Sequence, residues 1–413
     1  MKLKVSYYIL KVTIKIGLFS IALFGYGIIA PSINDASTSR LITIPYRVIV
    51  LIASLLVILF NSNINYEKNL LVRTKISSVF IILFIFFYSF RLFYETSYNN
   101  LLIRESSEYL LNWFGICLIP GITFLFLDLK QYKKYLYSSW AFLGTASILA
   151  LPLIAQGQLS KVFQEQGRLA GEALNPISLG HQGGSLLLIS LYILVNIELS
   201  KNRIGKLVCI FFLVTGLILL FLAASKGPIV AIFVCVCLLL VSLQHQRVNT
   251  FKIFSIITVA VVFANIAFSF ALDSGSSLIE RFTSLLSGDY FGYSQFVQRP
   301  ELYQKVSELI VEYPIFGYGL EVPNLGYPHN LILEAFLATG FLGGSLFLML
   351  YIYATIKAIS IVMAKNNSWS WLGLLYIQYA VAVMFSGALY NSYIFWYLLF
   401  AIIGLKKTKL NTA

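Results

Sequence analysis

Apolar runs of membrane length, joined by short polar loops, leave this chain few ways to fold. About 20 apolar residues carry a helix across the hydrocarbon of a bilayer. Such runs recur over 14–30, 41–60, 76–94, 109–128, 135–155, 176–197, 206–224, 227–243, 253–272, 340–363, 370–388 and 391–405. The spacing predicts an all-α, polytopic membrane bundle of about 12 transmembrane helices. A single water-soluble core is excluded, because 59% of the 413 residues are hydrophobic and only 11% are charged.

Basic residues orient such a bundle, since short cytoplasmic loops collect them. With both termini cytoplasmic, 20 of the 30 Lys and Arg residues fall on inner segments, against three of the 17 acids, Glu67, Asp128 and Glu198. The net charge of +13 is therefore a topological signal. It is spread over short loops and gives no clustered basic face, so nucleic acid is not an expected partner. Cys117, Cys209, Cys235 and Cys237 lie inside apolar runs without paired spacing, which implies neither a disulfide nor a metal site. The basic residues before the first run lack a small-residue cleavage pattern after it, and the run reads as a retained span.

The most patterned polar stretch is 299–344. Pro300 opens a helix, Leu302, Val306, Leu309 and Ile310 recur at helical spacing, and Pro314 stops it. The turn-rich PIFGYG follows, then Pro328-His329-Asn330, and an apolar helical run that passes into a membrane-length segment. One imidazole thus sits where water meets lipid. The chain divides into 1–272 with nine spans, 273–339 as a long outer segment with amphipathic helices, and 340–413 with three spans and a basic tail. The outer segment is rich in rings, including Tyr290, Phe291, Tyr293, Phe296, Tyr303, Tyr313, Phe316, Tyr318 and Tyr327. Rings that stack on sugars and an interfacial aromatic belt both fit this pattern.

Other polar residues carry two readings each. Arg47 is positioned to snorkel toward the interface; Arg91, near the outer end of the third span, either snorkels or serves a site. Arg168 beside Gly171 and Asn175-Pro176 suits a phosphate, or forms an ordinary Gly-rich turn capped by Asn. Gly180, Gly183 and Gly184 allow close helix packing in span six, where His181 and Gln182 lie near the outer surface. Cys117 and its fellows aside, spans eight and nine carry almost nothing polar, and GFLGGS in span ten again suits close helix contact. Lys226, in Ser225-Lys226-Gly227, is either a turn lysine or a point charge for phosphate. His329 suits a general base, whereas Asn330 either orients it, binds a sugar hydroxyl or caps a helix.

No Gly-rich phosphate loop or dinucleotide fingerprint occurs, which argues against a cytoplasmic nucleotide-sugar donor. The outer acids are scattered without metal-ligand spacing, so no cofactor or metal is expected, and cationic side chains can stabilise a leaving diphosphate instead. A transporter is the competing class, although no half-to-half similarity is visible.

The Arg-led helix at Arg299, the PIFGYG turn, His329-Asn330 and the Gly-rich helix after them resemble the C-terminal signature of the bacterial O-antigen polymerase and ligase family. Arg168-Leu-Ala-Gly171 with Asn175-Pro176 is similar to that family's RxxG and NP elements, and Ser225-Lys226-Gly227 stands where it has Ser-Arg-Gly. The resemblance implies a GT-C-like helix bundle with a long periplasmic loop between spans nine and ten. It further implies a metal-independent glycosyltransferase at the periplasmic face of the bacterial inner membrane. In the polymerase reading, undecaprenyl-pyrophosphate-linked repeat units are joined; in the ligase reading, the polymer passes to lipid A core. His329 matches the catalytic histidine, and Arg168, Lys226 and Arg299 the pyrophosphate-binding positions, with Arg91 and Arg281 as further candidates. Asn330, Tyr303 and Tyr318 are the expected sugar-binding or orienting residues. The expected partners are the lipid-linked glycans, membrane lipids and a chain-length regulator protein.

Overall fold

The computed structural model describes residues 2–33, 36–62, 75–98, 102–152, 167–170, 173–196, 202–287, 298–365 and 367–405. Tyr290, Phe291, Tyr293, Phe296, Gly171, the inner residues Lys68, Arg73 and Lys201, and the tail after 405 lie outside them. The described chain is all-helical, with one isolated bridge between Val322 and Gly326. In order, the helices are α1 (Lys2–Ile29), α2 (Ala36–Ser62), α3 (Lys75–Tyr98), α4 (Ser106–Phe126), α5 (Tyr132–Ala150), α6 (Pro176–Asn196) and α7 (Arg203–Leu222). They continue as α8 (Lys226–His245), α9 (Thr250–Asp273), α10 (Leu278–Ser287), α11 (Gln298–Glu312), α12 (Leu331–Met363), α13 (Ser370–Ala382) and α14 (Tyr393–Gly404).

Each of the twelve apolar windows overlaps a described helix, and eight described helices are long and apolar enough to cross a membrane: α1, α3, α4, α6, α7, α8, α9 and α12. The expected twelve spans are not confirmed among the described residues, and the C-terminal pair shows one reason. The window 370–388 is helical for 13 residues and the next for 12. At 1.5 Å per residue these reach roughly 20 Å, short of the ~30 Å hydrocarbon thickness. Between them the chain turns at Gly387, whose φ of +112° is open to glycine alone without strain.

Polar caps mark several helix starts. Asn202, Asn249 and Asn330 accept from backbone N–H groups one or two residues into α7, α9 and α12. Asn175 does the same for Ser178 at the head of α6. Helix α6 is the central post, with almost every side chain buried. Its glycines do what their spacing predicts: Gly183 meets Gly216 of α7 backbone to backbone, Gly180 meets Pro228, and Gly184 meets Ile232. The glycines of GFLGGS differ, because Gly343 and Gly344 lie against Thr339 and Phe336 of their own helix rather than against another. Helix α9 keeps most of its apolar side chains exposed, as a lipid-facing helix would. Cys117, Cys209 and Cys235 are buried, whereas Cys237 is exposed on α8; none is bonded to another.

The amphipathic helix α11 buries Leu302, Val306 and Leu309 against Val322 and Leu337. The PIFGYG turn then inserts into a break in α12. Gly340 there has φ +61° and ψ −162°, a conformation essentially restricted to glycine. The Pro314 carbonyl accepts from Phe341 N–H at 2.7 Å, and the Leu337 carbonyl accepts from Tyr318 N–H at 2.7 Å and Gly319 N–H at 3.2 Å. The Leu337 carbonyl and the Phe341 N–H at the break are thus both satisfied by the turn.

Candidate functional site

Of the sequence-predicted cations, Arg168, Lys226, Arg281 and Arg299 lie around the N-terminus of α8. Ser225 occupies the N-cap position, but its side chain does not cap the helix. Its hydroxyl accepts instead from Arg168 Nη2 at 2.6 Å. Two backbone contacts hold Arg168 in place: Leu169 N–H donates to the Leu222 carbonyl at 2.8 Å, and Ser277 N–H donates to the Gly167 carbonyl at 2.9 Å. Ser277 in turn leads into α10, which carries buried Arg281. Arg281 and Arg299 both lie within reach of the Lys226 charge, and Arg299 within reach of His329. Residues 131 positions apart in sequence, from Arg168 to Arg299, therefore lie near one another beside a helix N-terminus, itself a favourable place for an anion.

His329 has a left-handed backbone, φ +57°, uncommon outside glycine. It sits between the Tyr327 ring, 4.3 Å away between centroids, and the Asn330 cap. Its Nδ1 is buried without a hydrogen-bond partner among the described residues. Burial, and after it the charge of Arg299, pushes the imidazole down to about 4, so it is neutral at pH 7.

Three expected site residues make structural contacts. Arg91 pairs with Glu95 at 3.2 Å and donates to the Gly317 carbonyl at 3.3 Å, tying α3 to the PIFGYG turn. The Asn330 amide is occupied in structure: Oδ1 accepts from Ile332 and Leu333 N–H, and Nδ2 donates to the Met384 carbonyl at 3.3 Å. Tyr318 packs on the α11–α12 cluster with its ring 5.3 Å from that of Tyr313. Tyr303 lies half-buried on α11.

Other residues at this end were not singled out by the sequence. Buried Glu321 accepts from Tyr109 Oη at 2.7 Å and from Ile103 N–H at 3.1 Å, latching the loop before His329 to the start of α4. Fully buried Glu334, in the first turn of α12, accepts twice from Leu389 N–H. An acid facing into a run of apolar positions was the available signal for Glu334. A cavity of about 410 Å³ adjoins Tyr327 and is lined by parts of α1, α2, α6 and the segment between α13 and α14.

Among the described residues no three His, Cys, Asp or Glu side chains are grouped to hold a metal ion. Chemically, the site offers several fixed cations for a polyanion and a neutral imidazole able to take up a proton. Residues 211–348, from within α7 to beyond the break in α12, match the family model described as O-Antigen ligase. No curated protein matches the chain.

Proposed function

Proceeding from membership of the O-antigen ligase and polymerase family through residues 211–348, we propose that this multi-pass membrane protein is an O-antigen polymerase. It joins oligosaccharide repeat units carried on a lipid pyrophosphate, undecaprenyl pyrophosphate in this reading. One observation carries the proposal: Arg168, Lys226, Arg281 and Arg299 converge beside the head of α8, with His329 electrostatically coupled to Arg299. The basic inner loops support an outward-facing site, periplasmic in a bacterial inner membrane, within a GT-C-like bundle.

In the reaction, an acceptor hydroxyl oxygen attacks the anomeric carbon of the donor as the bond from that carbon to the pyrophosphate oxygen breaks. The leaving diphosphate gains charge, which the four cations stabilise best at that moment. The hydroxyl proton passes to the imidazole of His329. An imidazole held near 4 is a weak base; a diphosphate against Arg299 offsets the cation that depresses it and strengthens the base once donor is bound. No metal is required, because side chains supply the positive charge.

The ligase reaction is the second reading, favoured by the description of the matching family model. It uses the same donor chemistry with lipid A core as acceptor. Cells lacking the gene separate the two. Core carrying one repeat unit identifies a lost polymerase, and unmodified core with accumulated lipid-linked polymer a lost ligase.

Purified protein given lipid-linked donor and acceptor is expected to lengthen the glycan in the presence of chelator. His329→Ala is expected to lower kcat by about 10²- to 10⁴-fold, the usual worth of a general base, with an unchanged thermal melt. Near-normal turnover in that variant removes His329 from the chemistry.

A further inference from the structure

The cavity beside Tyr327 is unlike a packing void. Its volume of about 410 Å³ lies within the ~300–1,000 Å³ of small-molecule sites. Amides, hydroxyls and one imidazole face it, from Asn112, Asn175, Ser178, His181, Gln182 and Asn391, with Arg47 and Arg104 also in its lining and no Asp, Glu or Lys. An empty defect inside a membrane bundle is expected to be apolar, since every unpartnered polar atom there is costly.

Two of these groups lack partners among the described residues. His181 and Gln182 are 6% and 7% exposed, and His181 Nδ1 and Gln182 Nε2 have no hydrogen-bond partner. Both are held in place. The Gln182 carboxamide oxygen lies over Gly27, where any Cβ would collide with it. The His181 carbonyl accepts from Gln378 Nε2 at 2.9 Å, and its ring lies 5.4 Å from that of Tyr379. Tyr26, Tyr46, Tyr379 and Tyr393 also contribute to the walls. Fixed donors and acceptors facing hydroxyls, beside aromatic surfaces facing C–H groups, make the two-sided environment that a pyranose ring requires.

We propose that this cavity is a glycan subsite, in which His181 and Gln182 hydrogen-bond sugar hydroxyls. Tyr327 belongs to its wall and its ring also lies 4.3 Å from that of His329 in a tilted contact, which puts the cavity one side chain away from the imidazole. The inference deepens the proposed function and rests on it for the identity of the glycan. Donor and acceptor chains share the required chemistry.

The test uses the full chain in lipid nanodiscs. The probe is the free oligosaccharide released by mild acid from the lipid-linked glycan of the source cells. The native protein is expected to bind it. Gln182→Met, which keeps length and loses the amide, is expected to weaken binding at least tenfold without lowering the melting temperature. Ile177→Trp, which puts a bulky ring into the cavity, is expected to do the same. In transfer assays the KM of one substrate rises at least tenfold in both variants, and which one identifies the glycan as donor or acceptor. Native-like binding in both variants, or none in the native protein, overturns the subsite and indicates a cavity holding water only. Binding without transfer overturns the proposed reaction and leaves the subsite standing; transfer with KM unchanged in both variants does the reverse.

Discussion

At the residue scale, the neutral state of His329 fixes a pH signature. In the free protein burial and Arg299 hold it down at about 4, so the acidic limb of kcat/KM, which reports the free enzyme, is expected near pH 4. Arg299→Gln removes the second of those causes and is expected to move the limb upward, part of the way to the ordinary imidazole value near 6.5. A limb near 6.5 in the native protein would show that another group controls the rate. Stability follows the same shift. Between about pH 6.5 and 4 only the unfolded chain is protonated at His329, so stability falls as pH drops through that window. What the sequence made legible was proximity rather than role: Arg168, Lys226, Arg299 and His329, picked out by their motifs, lie near one another, with Arg281 beside them. Arg91 was readable in another way, because Glu95 one helical turn later announces a local pair. The placement of His181 and Gln182 in a cavity was not legible, since polar residues in a span look alike whether they face a helix or a void.

At the element scale, the turn and helix starts around residues 300–331 follow the sequence closely: Pro300 opens α11, its apolar positions are buried, and Asn330 caps α12. The break inside α12 was hidden, because a glycine in an apolar run reads as a packing residue until its backbone is seen. Gly340→Ala is expected to be severe. The left-handed extended backbone alone costs about 1–3 kcal/mol for a residue with a side chain, and the added methyl runs into the Ile315 carbonyl. Thermal melting of the detergent-solubilised variant should show a loss of several degrees together with lost transfer; a native melt would mean that α12 straightens without penalty.

At the scale of the whole molecule, hydropathy locates the described apolar helices, eight of which are long enough to cross a membrane. It is blind to turns such as Gly387 that divide the C-terminal region into short helices packed deep in the bundle. What holds the bundle together is backbone contact through small residues about α6. Gly183→Leu inserts a side chain where the Gly216 carbonyl and Leu219 now lie, an overpacking worth about 1–3 kcal/mol or more. It is expected to lower the yield of monodisperse protein in size-exclusion chromatography, while an unchanged elution profile would place the α6–α7 contact outside the stability of the fold. The clasp between Pro314–Gly319 and α12 has a further consequence for how such proteins diverge. The segment bearing the imidazole cannot be swapped between relatives by exchanging an exposed insert; its matching span must travel with it, so the two are inherited as one module and chimeras cut between them should fail to assemble.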